Sequence, residues 1–244
     1  MMKGAQRIWD EARAAPAPGG AGPGGFAIFL DAKPLRVPGG GPLILPTRPL
    51  AEAIAREWGS RPKGERIGAD DLLLTRLAAT AQERIAPAPG PTIAAIAAYG
   101  GSDLLCYRAA EPEALVRRQD AMWQPWLDWA ARELGAPLRI TTGVMPLAQD
   151  PSALAALGSA VAAASVPALA ALGLVVPALG SLVLGLALIR GRIGAAEAAN
   201  ASLLDEMFQA ELWGEDPMAA ERRDAIRAEI AIATRYVALA EAGK

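Results

Sequence analysis

Histidine is missing altogether from this chain of 244 residues. That removes the side chain most used as a general base near neutral pH, and the commonest metal ligand. There is one cysteine, Cys106, so neither an internal disulfide nor a cysteine-rich zinc site can form. Its apolar neighbours Leu104, Leu105 and Tyr107 mark it as a small core residue, not a reactive thiol. There is no basic excess. The net charge is −2, and the two signs are mixed, which offers no electrostatic grip for nucleic acid. The glycines of 16–25 are not followed by Gly-Lys-Ser/Thr, so they do not make a phosphate loop. Met1–Gly4 opens no apolar run, so no secretory signal is expected there, nor an Arg- and Ser-rich transit peptide. These features point to a protein without cofactor or metal, compatible with a reducing compartment.

What is present is apolar: half of the residues are hydrophobic, enough to build a sizeable core. Residues 153–189 carry no charge, and a membrane helix needs about 20 apolar residues in a row. Pro167 and Pro177 interrupt the run, and Gly173, Gly180 and Gly185 weaken it. Three short buried helices are expected, near 152–164, 167–175 and 177–190, with each proline in a first turn and no membrane insertion.

The first fifty residues read as short strands, at 25–31, 34–37 and 43–45, with a further one at Arg7-Ile8-Trp9. Helices follow. One begins after Thr47 and ends at Trp58 before Gly59. A second covers 71–85, with Asp70 and Asp71 at its positive end. A third covers 92–98, and 103–108 is a strand or a buried turn. From Pro112 onward the pattern is helical: 112–134 with Pro125 inside it, an extended piece at 138–142, the apolar helices, a helix from Ala195 through Trp213 stopped by Gly214, and a last one over 217–242. Strands first and helices later predict an α+β fold: a small β-containing domain over 1–88, with an antiparallel sheet, followed by a helical bundle over 89–244.

Trp123, Trp126 and Trp129, three apart on one helix, form a ridge expected to face the core. Trp58 shares a face with Leu50 and Ile54 and is expected to be core as well, with a role at an interface as the other reading. Arg117-Arg118 and Arg222-Arg223 read as solvated faces. The stretch 202–214 holds Asp205, Glu206 and Glu211 with no basic residue. Paired carboxylates can serve as acid and base. Without histidine, a metal cluster or a paired nucleophile, that leaves only an enzyme using carboxylate and arginine chemistry on a small metabolite as the rival reading. A membrane-associated assembly factor, driven by 153–189, is a further alternative.

The pattern Asp205-Glu206-x-Phe208-Gln209-x-Glu211-x-Trp213-Gly214 resembles a signature of the ATP synthase assembly chaperones of the ATP-twelve type. Other blocks agree in order: Leu30-Asp31 with Pro34-Leu35; Leu45-Pro46-Thr47 through Glu57-Trp58; Leu74-Thr75-Arg76-Leu77-Ala78; Asp103 through Arg108; Gln119 with Trp123 and Pro125; and Gly180-Ser181-Leu182-Val183. The resemblance spans roughly 25–240. Ala32-Lys33 stands where the family often has Gly-Arg, and Leu72-Leu73 where it has Met-Pro. The resemblance implies a chaperone without catalysis, expected to be a monomer; the missing transit peptide then points to a bacterial cytoplasmic member, or to the mitochondrial matrix if the chain is a mature eukaryotic form. It would bind the unassembled α subunit of the ATP synthase catalytic head and prevent its aggregation until β arrives. The implied partner-binding residues are Glu211, Asp205, Glu206, Phe208, Gln209 and Trp213, with Trp58 and Trp123 structural or at the interface.

On a helix, Leu204, Met207, Phe208 and Glu211 fall on one stripe, so Glu211 is expected to project from an apolar face. Its expected structural partner is an arginine of a neighbouring helix, such as Arg190 or Arg227. Its expected functional partner is a basic residue of a bound protein.

Overall fold

The computed structural model describes residues 5–17 and 25–243. These gather into two compact units, 1–89 together with 235–244, and 90–234. Strands lie in the N-terminal part and helices dominate thereafter, an α+β fold.

The first unit is built on β1 (Ala5–Gln6), β2 (Ala12–Pro16), β3 (Phe26–Leu30), β4 (Lys33–Pro34) and β5 (Ile44–Leu45). Strand β3 is the centre of an antiparallel sheet. It pairs with β2 (Ala14 opposite Ile28), with β4 (Phe29 opposite Pro34) and with β5 (Ala27 opposite Ile44). The expected strand at 7–9 is not one: Trp9 turns inward and is buried, and pairing occurs on either side of it. Strand β2 escaped the sequence reading because Ala-Arg-Ala-Ala-Pro lacks the β-branched and aromatic residues that mark a strand. It forms because β3 offers a partner edge. Of the 16–25 loop, residues 18–24 lie outside the described residues.

Helix α1 (Arg48–Trp58) packs on β2 and β3. Thr47 Oγ1 accepts from the Leu50 N–H at 3.3 Å and donates to the Leu239 carbonyl at 2.5 Å, joining the chain's C-terminal turns to this unit. Leu50, Ile54 and Trp58, four apart, are buried on the sheet side. Strand β6 (Arg66–Ile67) pairs with β1, and α2 (Leu73–Thr80) runs into a π-helical turn at Ala81–Ile85.

Asp70 and Asp71 do not cap α2. Asp71 binds Arg61 at 2.8 Å and the Gly68 N–H at 2.8 Å, and the Arg61 guanidinium holds its carboxyl below the usual range. The cap comes from Glu57. One oxygen accepts from Leu74 N–H at 2.7 Å. The other accepts from Thr75 N–H at 2.9 Å and from the Thr75 hydroxyl at 2.6 Å. Burial raises the Glu57 carboxyl, and these donors pull it back. The Trp58 indole N–H donates to Thr75 Oγ1 at 3.1 Å, and Trp9 donates to the Trp58 carbonyl at 3.1 Å, with the two rings 5.4 Å apart.

The second unit starts with α3 (Pro89–Ala97), followed by two 3₁₀ turns and β7 (Tyr107–Arg108), so 103–108 is both turn and strand. Helix α4 (Glu113–Leu134) runs through Pro125, and β8 (Thr141–Thr142) pairs with β7 in parallel. Three helices follow: α5 (Pro151–Ala162), α6 (Val166–Leu179) and α7 (Leu182–Ile189). No helix among the described residues is long and apolar enough to cross a membrane. Pro167 lies in a first turn as expected, but Pro177 lies inside α6. The break comes three residues later. Gly180 takes a left-handed conformation (φ 63°), and Ser181 Oγ caps the next helix at Leu184 N–H. Glycine at 185 is a packing requirement: a Cβ there would meet Val176 Cγ2 of α6 at 2.6 Å. Helix α8 (Ala195–Ser202) and α9 (Leu204–Trp213) are separate, broken at Leu203, where the sequence pattern had suggested one helix. Helix α10 (Pro217–Ala240) ends by burying Tyr236, Val237 and Ala240 in the first unit.

Asp103 is fully buried. Its carboxylate accepts from Leu105 N–H at 3.1 Å and from Val183 N–H, in the first turn of α7, at 2.9 Å. Burial raises this carboxyl against the pull of those donors and the Ser181 hydroxyl. Burial likewise pushes the Cys106 thiol up to about 12, keeping it protonated.

Two stability predictions follow from these buried networks. Trp58→Arg buries a cation and removes the ring packed on Trp9, so it should cost about 3–5 kcal/mol and be seen as a collapsed thermal transition, while Trp58→Phe should cost less. Asp103→Asn presents an amide to N–H groups that need an acceptor, and should lower stability by about 1–3 kcal/mol in urea unfolding. An unchanged midpoint for either would contradict the role described.

Candidate partner-binding site

Helix α9 carries most of the residues singled out in the sequence, and its faces divide them. Leu204 and Phe208 are buried and Met207 is half-buried, so one stripe of the helix is committed to packing. Asp205 and Glu206 stand in the first turn, where carboxylates favour the helix dipole. Asp205 Oδ1 accepts from Gln119 Nε2 of α4 at 2.8 Å, and Gln119 Oε1 in turn accepts from the Ala109 N–H at 2.8 Å. One buried glutamine thus fixes α9 relative to α4 and the end of β7. Glu206 pairs with Arg222 of α10 at 2.7 Å.

Glu211 ends the apolar stripe as expected, but its partner is Arg118 of α4 at 2.7 Å, not Arg190 or Arg227. The packing of α4 against α9 decides this: the Arg118 guanidinium lies 5.1 Å from the centre of the Phe208 ring and also pairs with Glu211. The side chains of Arg118 and Glu211 are 46% and 53% exposed, so the pair contributes only about 0–1 kcal/mol to stability. Arg227 instead pairs with Asp224 at 3.0 Å. Arg222 is solvated as expected, whereas Arg223 is buried and ion-paired with Glu215, which offsets the cost of its burial.

Gln209 and Trp213 point outward. Trp213 is 79% exposed, and Leu212 beside it and Met218 at the start of α10 are 58% and 79% exposed. Gly214, at φ 94°, ends the helix between them. Large apolar side chains this exposed are poorly explained by folding. Leu212 and Met218 were missed in the sequence. The available signal was the adjacency of Leu212 and Trp213, since neighbours on a helix point about 100° apart and cannot both follow one narrow stripe.

Trp123 is wholly buried, with its indole N–H donating to the Ala201 carbonyl at 2.8 Å, while Trp126 is half-exposed with its ring 6.5 Å from Trp129. Arg108 is buried beneath Trp123, 5.2 Å from its ring. Burial lowers the basicity of its guanidinium, which is held by Asp120 and Gln124 at 3.4 Å each. Among the described residues no group of three or more His, Cys, Asp or Glu could hold a metal. Three carboxylates here are spoken for by neighbouring side chains. What this surface offers is a set of projecting apolar groups beside exposed charge.

Residues 6–131 match the model of the ATP12 chaperone protein family. The chain belongs to the ATP12 chaperone family. The crystal structure of Atp12 from Paracoccus denitrificans is 45% identical, with a TM-score of 0.89, over 97% of this chain and 99% of that one. The protein Atu1473 from Agrobacterium tumefaciens is 38% identical, with a TM-score of 0.86, over 96% of this chain and 85% of that one. The family model ends within α4, so for this ATP12 family member α9 is reached only by the likeness to solved structures.

The pair at the centre of the site yields a direct test. A double-mutant cycle of Arg118→Ala and Glu211→Ala, read by chemical unfolding, should give a coupling energy below about 1 kcal/mol. A coupling of several kcal/mol would make Glu211 a structural residue.

Proposed function

We propose that this chain holds the unassembled α subunit of the ATP synthase catalytic head and prevents its aggregation until it pairs with β. The observation that carries the reading is family membership over a fold shared almost end to end with Atp12 of Paracoccus denitrificans. The exposed Leu212, Trp213 and Met218 support it with a surface suited to another protein.

The physical logic follows from what a catalytic head subunit lacks when alone. Surfaces that will be buried against a neighbouring subunit are apolar and invite wrong association. A holder that covers them lowers the aggregating population by mass action, and must bind less tightly than β does so that it can be displaced. Such an interface is modest and partly polar. In this reading Trp213 supplies apolar anchorage and Gln209 an adaptable contact. Asp205, Glu206 and Phe208 hold α9 in place. Glu211, half-exposed in its pair with Arg118, meets a basic residue of the client and confers specificity more than affinity. Trp58 and Trp123 act through the fold. The protein works as a monomer in the bacterial cytoplasm, without catalysis, cofactor, metal, nucleic acid or membrane insertion.

The deciding experiment is capture of the α subunit from native lysate, followed by suppression of its aggregation on dilution from denaturant. Glu211→Lys should abolish protection while its melting temperature stays within a few degrees of wild type, because the pair it breaks is solvated. Trp213→Ala should weaken capture without loss of stability. Full protection by both variants would refute the assignment of α9 as the contact. Failure of the wild-type protein to hold the α subunit would refute the function.

A further inference from the structure

A groove of about 550 Å³ lies between α4 and the α8–α9 pair. Its apolar lining comes from Met122, Pro125 and Trp126 of α4 and from Leu204 and Met207 of α9. Glu211 lies on the same lining beside Arg118, and α8 contributes Glu197 and Asn200. Glu211 is paired, but Glu197 is exposed and has neither an ion pair nor a hydrogen bond among the described residues. Two carboxylates and one guanidinium line the groove, so it carries a net negative charge of one beside an apolar floor. A half-exposed tryptophan and two thioethers form a surface that adapts to different apolar shapes.

We propose that this groove is a client-reading subsite. It takes an exposed segment of the client in which an apolar side chain enters between Met122, Trp126 and Met207 while a neighbouring lysine or arginine meets Glu197. The inference rests on the proposed function and adds to it a second contact, on a different helix from the projecting end of α9, together with the chemistry of the segment recognised. Charge complementarity selects this occupant. An acidic segment would face an unpaired carboxylate, and a purely apolar one would leave the net negative charge of the groove unmatched. The Met-rich floor supplies contact area, and the free carboxylate supplies register.

The test measures affinity for the isolated α subunit of the ATP synthase at low and moderate salt, for wild type, Glu197→Gln, Glu197→Arg and Met122→Gln. Among the described residues Glu197 has no ion pair or hydrogen bond, and its place in the first turn of α8 adds only a weak dipole interaction, so its variants should melt within a few degrees of wild type. Glu197→Arg should weaken binding about tenfold, and Glu197→Gln should weaken it less and flatten the salt dependence. Met122→Gln, similar in volume but polar, should weaken binding without changing the salt dependence. If wild type binds and the Glu197 variants bind equally well with the same salt dependence, the subsite is wrong and the chaperone reading stands. If wild type does not bind the α subunit at all, that reading fails and the subsite falls with it.

Discussion

The second unit depends on one carboxylate placed where a carboxylate is least welcome. Asp103 has no contact with solvent, and its hydrogen-bond donors include the backbone N–H groups of Leu105 and Val183. Those donors belong to two different segments, the 3₁₀ turn at 104–106 and the first turn of α7. Both are groups a helix leaves without internal partners. One side chain therefore satisfies two buried ends at once and fixes the distance between them. The Leu104 N–H reaches the Gly180 carbonyl at 2.9 Å as part of the same junction, and Gly180 can hold its left-handed conformation there without strain. The apolar helices α6 and α7 then pack around this point, close enough that residue 185 must lack a Cβ.

The first unit solves an equivalent problem in the same way. Glu57, near the end of α1, accepts the free N–H groups at the start of α2, and Trp58 is tied to the same threonine that Glu57 holds. In each unit one carboxylate faces a helix start, where aligned peptide dipoles favour negative charge. These are arrangements for rigidity. The candidate site differs in kind: its charges are exposed or half-exposed, and its largest apolar groups project outward. That division sets rigid polar junctions inside and weakly committed charges outside.

Much of this was legible in the residues. Thr47 before an i, i+4, i+8 apolar series and Gly59 after it define α1 by local chemistry alone, as Ser181 with Gly180 defines the start of α7 once the break is known. The burial of Trp58 and Cys106 and the division of 153–189 into shorter helices follow from spacing and composition. The blocks quoted from Leu30 to Gly214 were sufficient to point to the family.

Partnerships across long separations were not legible. Strand β2 exists because β3 supplies hydrogen bonds that Ala12–Pro16 would not demand by themselves. The cap of α2 comes from Glu57 and not from the adjacent Asp70 and Asp71, since a side chain seventeen residues away lies closer in space. Pro177 stays inside α6 although its ring cannot donate the i→i−4 hydrogen bond. Glu211 meets Arg118, ninety-three residues distant, through the shared contact with Phe208. Periodicity and capping act within a few residues, so the sequence by itself determined which segments are helical and which faces are apolar. Which charge meets which, and which apolar groups are left uncovered, depend on how the helices approach one another, and only the tertiary structure decided that.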